Sequence, residues 1–370
     1  QGADFSEHLI HLAGRVNPSS PAREMDALLS SGEQVSSALL AMAVHRLGLS
    51  AVSFAGPQTG IITDRAHSRA RIVRVDARRI RQELKRGRIV IVAGFQGVDD
   101  KQDITTLGRG GSDLTAVALA HALDADECEI YTDVSGIYTT DPRLEPRARK
   151  IKRITYDEML EMASLGAQVM QSRSIELCKK FRVRLHVRSS FNYQRGTVVC
   201  NPSSRSKEAK AMEDISVRGV TLNKNEAKLT LCDVADKPGV AAVLFGELSR
   251  EGINVDMIVQ NISRTKQTDI SFTVAKSGLK KALRISRRVS RRIGAGEVTA
   301  DADVARVSVV GVGMRTNPGV AAKMFEALAE NKINIEMIST SEISISCLIK
   351  KGLGESAVRS LHVKFGLGKH

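Results

Sequence analysis

Residues 237–258 read KPGVAAVLFGELSREGINVDMI, and residues 317–338 read NPGVAAKMFEALAENKINIEMI. Eleven of the 22 paired positions are identical at an offset of 80 residues, and no other stretch has a comparable copy. A chain of this kind must end in two copies of one small unit, behind something different. Within each copy the pattern gives strand, PG turn, helix, strand, strand. Val240, Val243, Leu244 and Leu248 share one helical face. INVDMI and INIEMI alternate like edge or half-buried strands. One unit is too small to bury its own sheet, so the two are expected to pack side by side. Such an appended pair usually senses rather than catalyses.

The 370 residues suggest two or three domains. Trp is absent and aromatics are 4%, so the cores must be aliphatic. No apolar run approaches the ~18 residues of a membrane span, and no signal peptide opens the sequence, so neither a membrane partner nor export is expected. Cys128, Cys178, Cys200, Cys232 and Cys347 are scattered without a CxxC, which argues against zinc and disulfides and for a reducing cytoplasm. The net charge of +14 is concentrated in arginine-rich stretches at 78–88 and 287–292. These lack interleaved aromatics and read as solvated helix faces, so no nucleic-acid partner is expected. The histidines do not cluster with acids and read as surface or core residues.

Ahead of the repeat, strands and helices alternate. Helices are expected at 25–47, 76–86 (with Asp76 as N-cap), 115–123, 156–165 and 170–181. In the first, Ala38, Leu39, Ala41, Met42 and Leu47 form the apolar stripe. Strands are expected at 51–54, 89–93, 129–132 and 184–187. IVIVA at 89–93 has the continuous apolar look of a strand buried on both faces of a parallel sheet. The implied domain is a wound α/β fold with a mostly parallel sheet between helix layers, whose ligands sit at the carboxyl ends of strands. Residues 201–214 are polar and aperiodic and read as a linker.

Three segments carry candidate chemistry. LGRGGSD at 107–113 places Gly108, Gly110 and Gly111 where backbone can approach a ligand. Ser112 or Asp113 is expected to cap the following helix, whose amides favour anions, and Arg109 adds a fork for a carboxylate or phosphate. YTDVSGIYTTDPR at 131–143 ends a strand at Thr132 and Asp133, then turns. SSGEQ at 30–34 offers Glu33. Taken singly, each glycine-rich or polar stretch is also an ordinary turn. The PGV of each repeat is also simply a helix start with Pro in its first turn. The asparagines at 254 and 334, kept in both copies, point instead towards a ligand.

In combination, LGRGGSD, YTDVSGIYTTDPR, SSGEQVSSALLAMA and the doubled PGVAA module resemble the monofunctional bacterial aspartate kinases over almost the whole chain. The resemblance implies an amino-acid-kinase domain at 1–205, truncated at its start, a linker at 206–225, and two ferredoxin-like ACT domains at 226–304 and 305–370. It implies ATP- and Mg2+-dependent phosphorylation of the β-carboxylate of L-aspartate. It places aspartate on Glu33, Arg109, Gly110, Gly111, Ser112 and Asp113, with Glu33 and Arg109 catalytic. Nucleotide falls to Thr132, Asp133, Tyr138, Thr139, Thr140, Asp141, Pro142, Arg143 and Gln168. Lysine, threonine or both are implied as feedback effectors. Their positions are Asp236, Lys237, Pro238, Gly239, Val240, Ala241, Asn254, Val255, Asp256 and Gln260, then Val320, Ala321, Asn334, Ile335, Ser341 and Glu342. A homo-oligomer through the ACT domains is implied, or a hetero-oligomer with a separate regulatory subunit.

The sequence departs from the family pattern in three places. That pattern opens on a strand carrying K-F-G-G-T-S, whose lysine supports phosphoryl transfer; QGADFSEHL matches a point further along. The family's GAK is here Gly166, Ala167, Gln168, and a neutral side chain there is expected to weaken ATP use. GPQTG at 56–60 stands where the family often has an aromatic. The first two departures support a competing expectation, a catalytically impaired homologue that senses amino acids.

Overall fold

The computed structural model describes residues 2–167, 169–201, 217–260, 267–315, 317 and 319–368, which leaves Gln168 and Pro318 outside the described residues. The chain divides into two units: residues 1–137, 152–156 and 168–201, and residues 138–151, 157–167 and 202–370.

The first unit runs α1 (Gly2–Val16), α2 (Ala22–Arg46), β1 (Ala51–Phe54), β2 (Ile61–Thr63), β3 (Ile72–Val75), α3 (Arg78–Lys85), β4 (Ile89–Val92), β5 (Gln96–Val98), β6 (Ile104–Thr106), α4 (Gly111–Leu123), β7 (Cys128–Thr132) and β8 (Arg153–Ile154). After α5 (Tyr156–Ser164), of which only Tyr156 belongs to this unit, come α6 (Ser172–Phe181), β9 (Leu185–Ser189) and β10 (Thr197–Val199). β1 pairs with β4 in parallel, Ala51 opposite Ile89. The other strands form two four-stranded sheets, ordered β3-β2-β5-β6 and β7-β9-β10-β8. Both are mixed: β7–β9 and β8–β10 are parallel, while β9–β10, β2–β3 and β5–β6 are antiparallel.

Three details differ from the expectation. β4 is not buried on both faces: among the described residues it pairs only with β1, Ile89 is exposed, and Val90, Ile91 and Val92 are half-buried. The buried residues of α2 are Asp26, Ser30, Ser37 and Ala41, whereas Leu39, Met42 and Leu47 are exposed. Small and polar residues let α2 lie close to β1 and β6 and hydrogen-bond with its neighbours, so the packed face is not the most apolar one. By length and mean hydropathy α2 would also suffice to cross a membrane. Here its Asp26 is buried among protein hydrogen bonds. The N-cap of α3 is Ala77 rather than Asp76, whose carboxylate still accepts the Arg78 amide at 3.2 Å.

The second unit is built on one six-stranded sheet. Its elements are β11 (Gly219–Ala235), α7 (Val240–Arg250), β12 (Ile258–Gln260), β13 (Gln267–Ala275), α8 (Leu279–Ile293), β14 (Val298–Val310), α9 (Val320–Glu330), β15 (Met337–Thr340), β16 (Ser344–Lys350) and α10 (Gly354–Lys364). The order is β12-β13-β11-β14-β16-β15, so the two repeats do lie side by side; the edge strands β12 and β15 begin only at Ile258 and Met337, so most of INVDMI and INIEMI, read as strands, lies ahead of them. β11 and β14 are long because each serves both modules. Residues 226–231 of β11 pair with 298–304 of β14 in the first module, and 219–223 pair with 306–310 in the second. The second module therefore takes its fourth strand from residues 219–223, within the stretch read as linker, upstream of the whole first module. Each module buries its own aliphatic core, one around Leu229, Leu244, Phe272 and Val289, the other around Val307, Met324, Leu328 and Leu361.

Where the modules join, β11 bulges beside Glu226. Glu226 is fully buried and lies 2.6 Å from the nearly buried Arg306. Glu226 Oε2 and Arg306 Nε have no hydrogen-bond partner. Burial pushes the Glu226 carboxyl up, against the pull of Arg306.

Candidate functional site

The glycine loop of the first unit is held from several sides. Its Leu107 amide donates to the Phe95 carbonyl at 2.9 Å, and Arg173 of α6 donates to the Leu107 and Ala70 carbonyls at 2.8 and 3.0 Å. Gly110 has φ +71°, and a Cβ there would meet Gln171 Cγ at 1.8 Å, so only glycine fits. A Cβ on Gly111 would meet Phe95 Cδ2 at 2.8 Å. α4 starts at Gly111 with Gly110 as N-cap and no side-chain cap. Ser112 and Asp113 thus lie inside the first turn, and neither caps it as expected. The uncapped amides and the helix dipole leave an anion-receptive end. Burial raises the Asp113 carboxyl above its ordinary range. Arg109 has no carboxylate partner among the described residues.

The turn at 30–34 of α2 reaches the same neighbourhood through residues 94–96. Gln96 is fully buried; its amide donates to the Ser30 carbonyl at 3.3 Å, and its oxygen accepts the Gly56 amide at 3.0 Å. Phe95 sits at φ +66° with its amide on Thr115 Oγ1 at 3.1 Å. A non-glycine residue held there is strained backbone of the kind that clusters at ligand sites. Gly94 passes so close that a Cβ would lie 3.1 Å from Ser112 Oγ. Glu33, half-buried on α2, has its carboxyl pushed up by burial.

Below the loop, fully buried Asp26 accepts from the Thr106 amide at 3.0 Å, Thr106 Oγ1 at 2.5 Å and the Ser68 amide at 3.0 Å, with His67 Nδ1 at 2.9 Å. His67 therefore does partner an acid, and so does His186, 3.4 Å from Glu127 and Glu129. Asp26, Phe95, Gln96 and Arg173 escaped sequence reading. The only signals were an acid near the start of an apolar helix and a Gly-Phe after a strand.

Thr132 ends β7 as expected and Asp133 follows just past it, with Thr132 opposite Ser189 of β9 and its hydroxyl 3.1 Å from Asp133. Tyr138–Arg143 belong to the second unit. There Tyr138 bridges Lys150, and the buried Thr139 hydroxyl meets His362 Nε2 at 3.0 Å and accepts the Arg149 amide at 3.0 Å. Thr140 is buried too. Asp141 accepts the Arg143 amide and its guanidinium, which holds that carboxyl below its usual range. Pro142 lies in this turn. Thr139 is thus committed to protein partners, a finding the motif alone did not suggest.

Val320, Ala321, Asn334 and Ile335 are the second-module counterparts, 80 positions on, of Val240, Ala241, Asn254 and Val255. Gly239 and Gly319 are N-caps at φ +94° and +96°, without side-chain caps. Pro238 precedes the cap rather than entering the first turn. Asp236, Lys237 and Pro238 are exposed beside it. Val320 is buried in its module's core, Val240, Val255, Ala321 and Ile335 are partly buried against the cores, and Ala241 is half-buried on α7. Asn254 is exposed and donates to Asp256 at 3.4 Å; Gln260 and Asn334 are exposed. Ser341 donates to Glu161 at 3.2 Å, and Glu342 is exposed beside it.

Residues 2–189 match the amino acid kinase family, and residues 233–287 and 307–365 match the ACT domain. The fold and glycine-loop site thus define an amino acid kinase carrying an ACT pair. The aspartate kinase of Pseudomonas putida is 51% identical over 362 residues, which cover 98% of this chain and 87% of that protein. The aspartokinase of Corynebacterium glutamicum is 47% identical over 368 residues, 99% and 86% of the two chains. E. coli aspartokinase III, crystallised with aspartate and ADP in its R-state, superimposes with a TM-score of 0.79 at 29% identity, covering 97% of this chain and 79% of that one. The chain belongs to the aspartate kinase family.

Proposed function

We propose that the chain transfers the γ-phosphoryl group of ATP to the β-carboxylate of L-aspartate, under feedback control by lysine, threonine or both at the ACT pair. The observation that carries the reading is the uncapped start of α4 beside an Arg109 without an acidic partner. A carboxylate is ionised at neutral pH and needs no general base. The task is to bring it to a triphosphate, which fixed amides and a guanidinium can do. In this reading Arg109 and the α4 amides neutralise aspartate, Glu33 meets its ammonium group, and Thr132 and Asp133 flank the nucleotide.

No group of three His, Cys, Asp or Glu side chains among the described residues is arranged to hold a metal ion by itself. Mg2+ held by phosphates needs only one or two carboxylates, and exposed Asp133 at the end of β7 suits that role. A relative, E. coli aspartokinase III, has been crystallised with lysine and aspartate in its T-state. The uncapped starts of α7 and α9 would suit an amino acid's α-carboxylate, and an oligomer through the ACT modules fits their exposed edge strands.

Trapping of aspartyl phosphate with hydroxylamine tests the proposal. Arg109→Ala should cut kcat/KM for aspartate by about 100- to 1000-fold without shifting Tm. Lysine or threonine bound by a chain that forms no hydroxamate would favour the sensor reading instead.

A further inference from the structure

A second basic feature lies at the opposite end of α4 from the glycine loop. β3, α3 and the last turns of α4 and α6 enclose a groove of about 660 Å3. The thirteen residues of α4, at about 1.5 Å each, put it roughly 20 Å from the loop. Four cations line it, Arg74, Arg78, Arg81 and Lys180, against the single carboxylate of Asp76. That carboxylate is already spent on Arg78 at 2.6 Å, which holds its pKa down to about 2. Arg81 crosses to the end of α4, donating to the Ala122 carbonyl at 2.7 Å and to Asp124 at 2.9 Å. Arg74 and Lys180 are exposed, and neither has a carboxylate in ion-pair reach among the described residues.

The groove also has a flat wall. His121 stacks on Phe181 with ring centroids 3.9 Å apart and planes 12° from parallel. The Lys180 ammonium lies 5.3 Å from the Phe181 centroid, and His121 is exposed, so a further ring can add to the stack at His121. An excess of cations beside an extendable ring stack is the chemistry that recognises a phosphorylated planar ring.

We propose that this groove binds a mononucleotide, separately from the kinase site. Phosphate rests on Arg74 and Lys180, and the base extends the His121–Phe181 stack. A bare phosphate would not need the rings, and a purely apolar ligand would not suit the cations.

Photolabelling of the whole chain with 8-azido-AMP, followed by peptide mapping, tests this. The expected result is label on the peptides bearing His121 and Phe181, protected by unlabelled AMP. It should fall at least roughly ten-fold in an Arg74→Glu, Lys180→Glu double variant with unchanged circular dichroism. Both replaced side chains are exposed, so folding should survive. Label confined to the peptide bearing Thr132 and Asp133 would overturn the groove while supporting the kinase reading. Groove label without label at Thr132 and Asp133 would do the reverse. Undiminished label in the double variant, or displacement by a short single-stranded RNA at lower concentration than AMP, would also overturn the mononucleotide site.

Discussion

Asp26 is a carboxylate without solvent, yet it is well placed. Its oxygens receive two backbone amides and a hydroxyl from segments far apart in sequence, one of them directly preceding the glycine loop. Hydrogen bonds to a charged group contribute roughly 1.5–3 kcal/mol each, and an orphaned buried donor costs about 1–3 kcal/mol. Asp26→Ala should therefore destabilise the first unit by about 3 kcal/mol or more. In a domain of that size this corresponds to a Tm fall of roughly 6–12 °C by calorimetry. A shift under 2 °C would show that water replaces the carboxylate easily. At this scale the sequence was legible where backbone demanded a particular residue: Gly110 can be nothing else, and the pattern singled it out. It was opaque where one side chain serves several distant partners, because neither Asp26 nor Gln96 carries a local signature of its burial.

Among the elements, periodicity located the helix after each PG turn, because it has one buried face and one wet one, but it missed the second helix of each module, α8 and α10, and set the edge strands too early. It failed on the packed face of α2, where polar and small residues point inward. It also passed over short strands such as β5 and β8, which have too few residues for a period to show. The junction of β11 and β14 is the element most open to test. Removing one partner of the Glu226–Arg306 pair strands a buried charge, so Glu226→Ala should cost about 3–5 kcal/mol in denaturant unfolding. The Glu226→Met, Arg306→Leu pair should recover most of that, and recovery of none would mean the ion pair itself is required.

The His362 of α10 supplies a second test. Burial pushes its pKa below 6.5, beside the Thr139 hydroxyl and facing Glu145, Arg147 and Arg149. A depressed histidine gives stability that is present above the unfolded pKa and lost as pH falls below it, because the unfolded chain takes the proton more readily. The Tm of the second unit should fall between pH 7.5 and 5.5, and His362→Gln should flatten that slope. An unchanged slope would assign the acid sensitivity to other groups.

The whole molecule joins an amino acid kinase region to an ACT pair made by duplication, but the duplication in sequence is not a division in space. Because residues 219–223 complete the second module, a polypeptide of 305–368 lacks a strand of its own sheet. It should give a poorly dispersed amide NMR spectrum, whereas 217–368 should give a dispersed one and unfold in a single transition. A folded 305–368 fragment would show that the shared strand is dispensable. Two modules built on common strands are expected to loosen together rather than one at a time.

The shared strand also sets a timetable for synthesis. Residues 219–223 leave the ribosome about 80–90 residues before their partners at 306–310. At 5–20 residues per second that is a wait of roughly 4–18 s. Throughout it, the first module can complete its hairpins and helices while one end of β11 stays an open edge. Substitutions that make those few residues stickier would therefore show first in the yield of newly made protein, and only later, if at all, in the stability of the finished one.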